Sequence, residues 1–316
     1  MTDVEPTGGT AGDDPTAGPD GENPRPRFDR RAPGVAAYLG MAVSELSDGS
    51  SPMAVLRGPF AAPAHVVDAE GRTPTGILAA LVDSISGMAS GIAALPGWIV
   101  TTNLNVRRAP AGLFGPTGTG PLVLDTEVLR RGRSAIVTRT SVTAADDGTA
   151  VATGWMTAAV LAPNGGPPEI ARPVRPMGFE RVDDPTFAAG PDTFFALRDG
   201  RAPGEVALDL VDRTRNPWGI LHGGAMTVLA DTAARSAVAG TPALTPTPGL
   251  AVADLNVHYL SPGRVGPVRA TARVIGAKGL EHLVRVSVVD HGAGDRPLVV
   301  ALATVRQGSA DAATVR

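Results

Sequence analysis

The sequence predicts an α+β protein made of two tandem copies of one fold. Three observations carry this. The order strand, long helix, then a run of antiparallel strands occurs between Met53 and Leu161 and again between Val206 and Val305. The two halves match at a nearly constant offset. Asp83 and Asp231 stand 148 positions apart (231 − 83), and that offset also pairs Gly71 with Gly219 and Gly76 with Gly224. Leu104-Asn-Val106 matches Leu255-Asn-Val257 at 151, after an insertion near Thr241 to Pro248, and Gly120-Pro121 matches Gly266-Pro267 at 146. Finally, a Pro-rich stretch without periodicity separates the halves.

Residues 1–33 are rich in Gly, Pro, Thr and Asp, cannot bury enough apolar surface to fold alone, and are expected as a disordered tail. The first repeat is placed at 34–163. Within it, Met53 to Arg57 reads as a strand. Thr73-Pro-Thr-Gly76 leads into a helix on which Ile77, Leu81, Ile85, Met88 and Ile92 recur at helical spacing, giving one apolar face. Strands follow at Trp98 to Val106, Leu122 to Leu129, Ala135 to Thr143 and Val151 to Leu161. The linker is placed at 164–184 and the second repeat at 185–310. There Val206 to Val211 is a strand, Ala225 to Ala239 the helix, and Leu250 to Tyr259, Val268 to Ile275, Leu283 to Val289 and Leu298 to Val305 are strands.

Composition narrows the function. The net charge of −3 gives no reason to expect nucleic acid, and the absence of cysteine excludes disulfides, thiolate metal sites and a Cys nucleophile. No apolar run is expected to reach the roughly 20 residues of a membrane span. The N-terminus lacks a basic start followed by an apolar core, so no signal peptide is expected and the expected location is the cytoplasm. His65, His258, His282 and His291 show no metal-ligand spacing, so no metal is expected. Gly87-Met-Ala-Ser-Gly91 is not a nucleophile elbow, and Gly115 to Gly120 has the wrong order for a phosphate-binding loop.

The chemistry concentrates in Asn216-Pro-Trp-Gly-Ile-Leu-His222-Gly223-Gly224 and the helix behind it, which carries Asp231. A helix start offers unpaired N–H groups and the positive end of the macrodipole, and two glycines let a ligand oxygen approach them. An acid inside an otherwise small and apolar helix is costly unless it has a partner or a task. These residues resemble the hotdog-fold thioesterases of the phenylacetate-degradation (PaaI-like) type, whose pattern of Asn, His-Gly-Gly and helix Asp they match in order and spacing. Asp254 to Pro262 also looks like that family's post-helix strand. The resemblance covers residues 40 to 310, more specifically in the second half. It implies a double hotdog, with two long helices wrapped by one antiparallel sheet to imitate a dimer within one chain. It also implies an acyl-CoA or acyl-carrier thioester as substrate, coenzyme A entering only as part of that substrate, and a homo-oligomer of such units.

The resemblance further implies sites at the interface of the copies, each joining the helix start of one to the Asp of the other. The copies have diverged unequally. Asp68, Pro74 and Thr75 stand in the first at the positions of Asn216, His222 and Gly223, while Asp83 is kept. Thr101 lies where relatives carry a hydroxyl that holds water; the second copy has Val252 there. One composite site is therefore expected to be complete, from Asn216, His222, Gly223 and Gly224 with Asp83 and Thr101. The other, with Asp231, is expected to be impaired. In the complete site the Gly223 N–H and Asn216 amide would hold the carbonyl oxygen, Asp83 would be general base or nucleophile, and Thr101 would orient water. His222 would position the loop or lie near the sulfur. Arg130, Arg131 and Arg133 would meet the phosphates of the coenzyme. Alternatives stay open. Each helix serving its own turn would make Asp231 the base. A non-catalytic acyl-thioester binder fits the same pocket. A hydratase comes third, because its Asp/His pairing is not visible in the sequence.

Overall fold

The computed structural model describes residues 34–46, 53, 55–114, 119–162, 177–178, 183–216 and 218–308. The expected tail lies outside these residues, as does most of the expected linker.

The first half opens with a helical turn α1 (Val35–Tyr38) and strands β1 (Ala42–Glu45) and β2 (Val55–Phe60). The long helix α2 (Thr75–Ala94) follows, then β3 (Trp98–Arg108), the short α3 (Ala111–Phe114), β4 (Leu122–Arg131), β5 (Ala135–Ala144) and β6 (Ala150–Leu161). Between the halves, β7 (Met177–Gly178) pairs with Ala42 and Val43 of β1, so the segment expected to be only a linker contributes a strand. The second half has α4 (Pro191–Phe194), β8 (Leu197–Asp199), β9 (Glu205–Leu208) and the long helix α5 (Gly223–Ala239). Four strands complete it: β10 (Leu250–Tyr259), β11 (Val268–Lys278), β12 (Glu281–Asp290) and β13 (Arg296–Gln307).

All the strands form one antiparallel sheet in the order β7-β1-β2-β4-β5-β6-β3-β10-β13-β12-β11-β9-β8. Read outward from the central β3/β10 pair, the two sides carry corresponding strands in the same order. At that seam Asn105 pairs with Asn256, and Leu104 and Val106 pair with Val257 and Leu255. The matched triplets of the two repeats therefore lie directly opposite one another, and a local two-fold relation runs through Asn105 and Asn256. This is a tandem hotdog fold.

The two long helices cross antiparallel and pack against the sheet. Glycine permits their approach. A Cβ on Gly76 would lie 2.7 Å from the Asp231 Cβ, and one on Gly224 would lie 2.7 Å from the Ala80 Cβ. Each helix start thus rests against the middle of the other helix. The sequence suggests one apolar face for α2, yet the helix is buried on nearly every side, because the sheet wraps one face and α5 covers the other. By length and composition α2 would also suffice to cross a membrane, unlike the expectation from the sequence. Here 89% of its apolar window is buried inside the fold.

Candidate active site

The N-terminus of α5 is shaped by its own side chains. His222 is the N-cap, and its Nδ1 accepts a hydrogen bond from the Gly224 N–H at 2.9 Å. That leaves the ring proton on Nε2. Ahead of it, the Asn216 Oδ1 accepts from the backbone N–H groups of Trp218 (3.0 Å) and Ile220 (3.3 Å), which closes the 216–220 loop. With Oδ1 so engaged, the donor capacity of Asn216 resides in its amide nitrogen. Among the described residues, the Gly223 N–H makes no hydrogen bond to the protein.

Asp83 arrives from α2 of the other repeat. A Cβ on Gly223 would fall 2.6 Å from Asp83 Oδ2, so the carboxylate lies directly against the glycine. Asp83 Oδ1 accepts the Thr101 hydroxyl at 3.0 Å. Thr101 sits at a register shift between β3 and β6, where the irregular ladder re-aims a side chain. The equivalent shift in β10, after Val252, presents a side chain with no hydroxyl. The turn of α5 thus faces Asp83 of the other repeat, and α5 does not bring Asp231 to its own turn.

Burial raises the Asp83 carboxyl above the ordinary carboxylate range; His222, the Thr101 hydroxyl and the Gly224 N–H oppose this only in part. Burial likewise lowers His222, against the pull of Asp83. His222 Nδ1 and Asp83 Oδ2 are 3.9 Å apart, but Nδ1 is already an acceptor, so the pair is not a salt bridge at neutral pH. Sequence reasoning missed Tyr259. Its hydroxyl donates to the Gly223 carbonyl at 3.3 Å and lines the same cavity; burial first, then Asp83, push the phenol well above its usual range, so it stays a neutral donor. Its place at the end of β10, in the strand after the helix, was the available signal.

These groups line a cavity of about 610 Å³ that lies between the repeats. Apolar side chains such as Met88, Trp98, Leu161, Trp218 and Met226 make up much of the rest. The arginine loop expected to meet phosphates is not there. Arg130, Arg131 and Arg133 do not line the cavity, and Arg131 instead donates to the Ala93 carbonyl at the end of α2 (2.6 Å). The cavity has different cations, Arg264 and Arg296.

The pseudo-symmetric position is built differently. Asp231 Oδ1 accepts from the Gly76 N–H (3.2 Å), while Oδ2 is paired with Arg235 one helical turn away (2.9 Å). The Thr75 hydroxyl is turned to the Val252 carbonyl at 2.6 Å. Buried Arg108 donates to the carbonyls of Thr73 and Gly112, and burial lowers it to about 10. This region keeps a cavity of about 280 Å³, but its acid is neutralised by a cation and lacks a facing hydroxyl. Among the described residues no cluster of His, Asp and Glu is fit to hold a metal.

A family model described as Thioesterase superfamily matches residues 219–294, from the glycine before His222 through most of the second repeat. Solved structures share the fold over most of their length. The TesB protein of Mycobacterium avium subs paratuberculosis is 13% identical with a TM-score of 0.54, covering 87% of this chain and 98% of its own. A hot dog fold protein of unknown function from Alicyclobacillus acidocaldarius is 15% identical with a TM-score of 0.53, over 84% and 96%. The 12:0-ACP thioesterase of Umbellularia californica is 10% identical with a TM-score of 0.52, over 80% and 94%. No curated protein sequence matches the chain.

Proposed function

We propose that this protein hydrolyses acyl thioesters at a single composite site per chain. The observation that carries the reading is the Asp83 carboxylate of one repeat held against Gly223, at the positive end of the other repeat's helix. The thioesterase-superfamily match over the same turn supports it. The substrate carbonyl oxygen takes the unpaired Gly223 N–H, with the Asn216 amide as second donor. Asp83, ionised, removes a proton from water as the water oxygen bonds to the carbonyl carbon. The oxyanion that forms is held at the helix start, where one such donor is worth about 3–4 kcal/mol of barrier. The C–S bond then breaks, and the proton on Asp83 passes to the departing thiolate. Thr101 fixes the carboxylate and keeps lone pairs for the water. Attack by water is favoured over attack by Asp83 itself, since Oδ1 is engaged by Thr101 and Oδ2 is packed on Gly223.

A second reading has one observation in its favour. The Asp/His pair of a hydratase, invisible in the sequence, is formed across the repeats by Asp83 and His222. The commitment of Nδ1 to Gly224 argues against a shared role. A screen of saturated and 2-enoyl thioesters of graded chain length, reading free thiol and double-bond loss separately, decides. Thiol release abolished in Asp83→Asn supports hydrolysis, and hydration without thiol release points to the hydratase. Tight binding with no turnover of any thioester would leave an acyl-thioester binder.

A further inference from the structure

The two sides of the cavity differ in charge across the seam. On the first-repeat side Asp83, Ser84, Thr101 and Thr102 are polar and the rest of the wall is apolar, with Gly87 and Gly91 on α2, Trp98 and Ile99 on β3, and Leu161 on β6. On the second-repeat side lie both of its arginines. β6 and β13 are separated by β3 and β10, so Leu161 and Arg296 are three strand spacings apart, roughly 14 Å. A thioester has two such arms, an acyl group and a thiol carrier.

The two arginines share one support. Asp290 is buried, and its carboxylate accepts the backbone N–H groups of Arg264 (2.9 Å), Val265 (3.0 Å) and Gly266 (2.8 Å). Asp290 is also the β12 residue paired with Arg296 at the start of β13. One residue thereby fixes the loop that carries Arg264 beside the strand end that carries Arg296.

We infer that Arg264 and Arg296 form the phosphate end of the cavity: they hold the phosphate of a phosphopantetheine-bearing thiol while the acyl group lies on the glycine side of α2. Paired arginines on a rigid mount suit a phosphate. The inference rests on the thioester reading but is tested apart from it. Arg264→Gln, Arg296→Gln and the double variant are compared with wild type on one acyl group carried by coenzyme A, by 4′-phosphopantetheine and by phosphate-free N-acetylcysteamine. Calorimetric binding of coenzyme A alone is measured beside them. The expected result is a rise in KM of about 10-fold per single variant and about 100-fold in the double with the phosphate-bearing thiols. The phosphate-free substrate should change by less than about twofold, and coenzyme A affinity should fall in parallel. Loss confined to coenzyme A supports the site and assigns it to the nucleotide phosphates rather than the phosphopantetheine phosphate. Equal losses on the phosphate-free thioester, or unchanged coenzyme A affinity in the double variant, overturn the inference. If wild type binds coenzyme A through these arginines yet hydrolyses no thioester, the hydrolytic reading fails and this one stands.

Discussion

Asp83 and Gly223 are closer than any side chain at position 223 allows, since a Cβ there would lie 2.6 Å from Asp83 Oδ2. The glycine is required by a neighbour from the other repeat, not by its own backbone angles. Gly223→Ala must therefore move the carboxylate away from Thr101 or move the helix start. It is expected to lower kcat/KM by about 100-fold or more, with a modest stability loss of about 1–3 kcal/mol from overpacking. A variant that melts near wild type and retains full activity would contradict the placement of Asp83.

The two helix acids are expected to differ in opposite directions. Asp83→Asn should lower kcat by about 10²–10⁴, the range for loss of a general base. It should also raise Tm at pH values above the folded-state pKa of the Asp83 carboxyl. The sign follows from the raised carboxyl. A folded pKa above the unfolded one means the ionised group costs stability. That cost is absent below the unfolded pKa, grows between the two values, and is complete above the folded one. Asp231→Asn should keep most activity but lose about 1–3 kcal/mol of stability, because Arg235 and the Gly76 N–H lose a charged acceptor. Kinetics and melts on both variants check this. A dead Asp231→Asn beside an active Asp83→Asn would place the chemistry within the second repeat alone.

Thr101 acts on Asp83 through one hydrogen bond that favours the ionised acid. Thr101→Val should shift the acid limb of the kcat/KM pH profile upward, since Asp83 must be ionised to work and the shift makes ionisation harder. At neutral pH a loss of about 10-fold is expected, and Thr101→Ser should restore the profile. An unchanged acid limb in Thr101→Val would remove this hydroxyl from the site.

Gly87 lies one turn beyond Asp83 on the cavity side of α2, and a Cβ there meets nothing within 4 Å. Gly87→Ala should stabilise the helix by about 0.5–1 kcal/mol. Gly87→Leu should fill the apolar arm and shorten the preferred acyl chain while sparing the shortest substrates. Rates across a chain-length series test this, and a uniform fall at every length would place the acyl group elsewhere.

The halves depend on one another along the β3/β10 seam and the crossing of α2 with α5. A fragment of residues 179–316 alone would expose the β10 edge and the apolar side of α5. It is expected to aggregate or to lack a cooperative melt. A soluble monomeric fragment with a sharp transition would show that the second repeat folds independently.

Much of this architecture is written in local patterns. The spacing of Ile77, Leu81 and Ile85, the β-branched runs and the constant offset between halves define the long helices, most of the strands and the repeat, because periodicity records which face is buried. The His-Gly-Gly turn stood out as a helix start with two glycines, and Asp83 through its match with Asp231 at the offset between the halves. Weaker local signals did not suffice. Two-residue β7 owes its existence to the edge offered by β1, and α2 is buried all round because α5 and the sheet close over it. Tyr259 reaches Gly223 only through the fold, and Arg264 and Arg296, far from the arginine-rich loop at 130–133, meet at the cavity through Asp290. The Asp231–Arg235 pair is a local i,i+4 contact, but only the tertiary structure decided that Asp83 faces an open helix start, because pairing across 140 residues or so depends on helix crossing and strand register, which no local window contains.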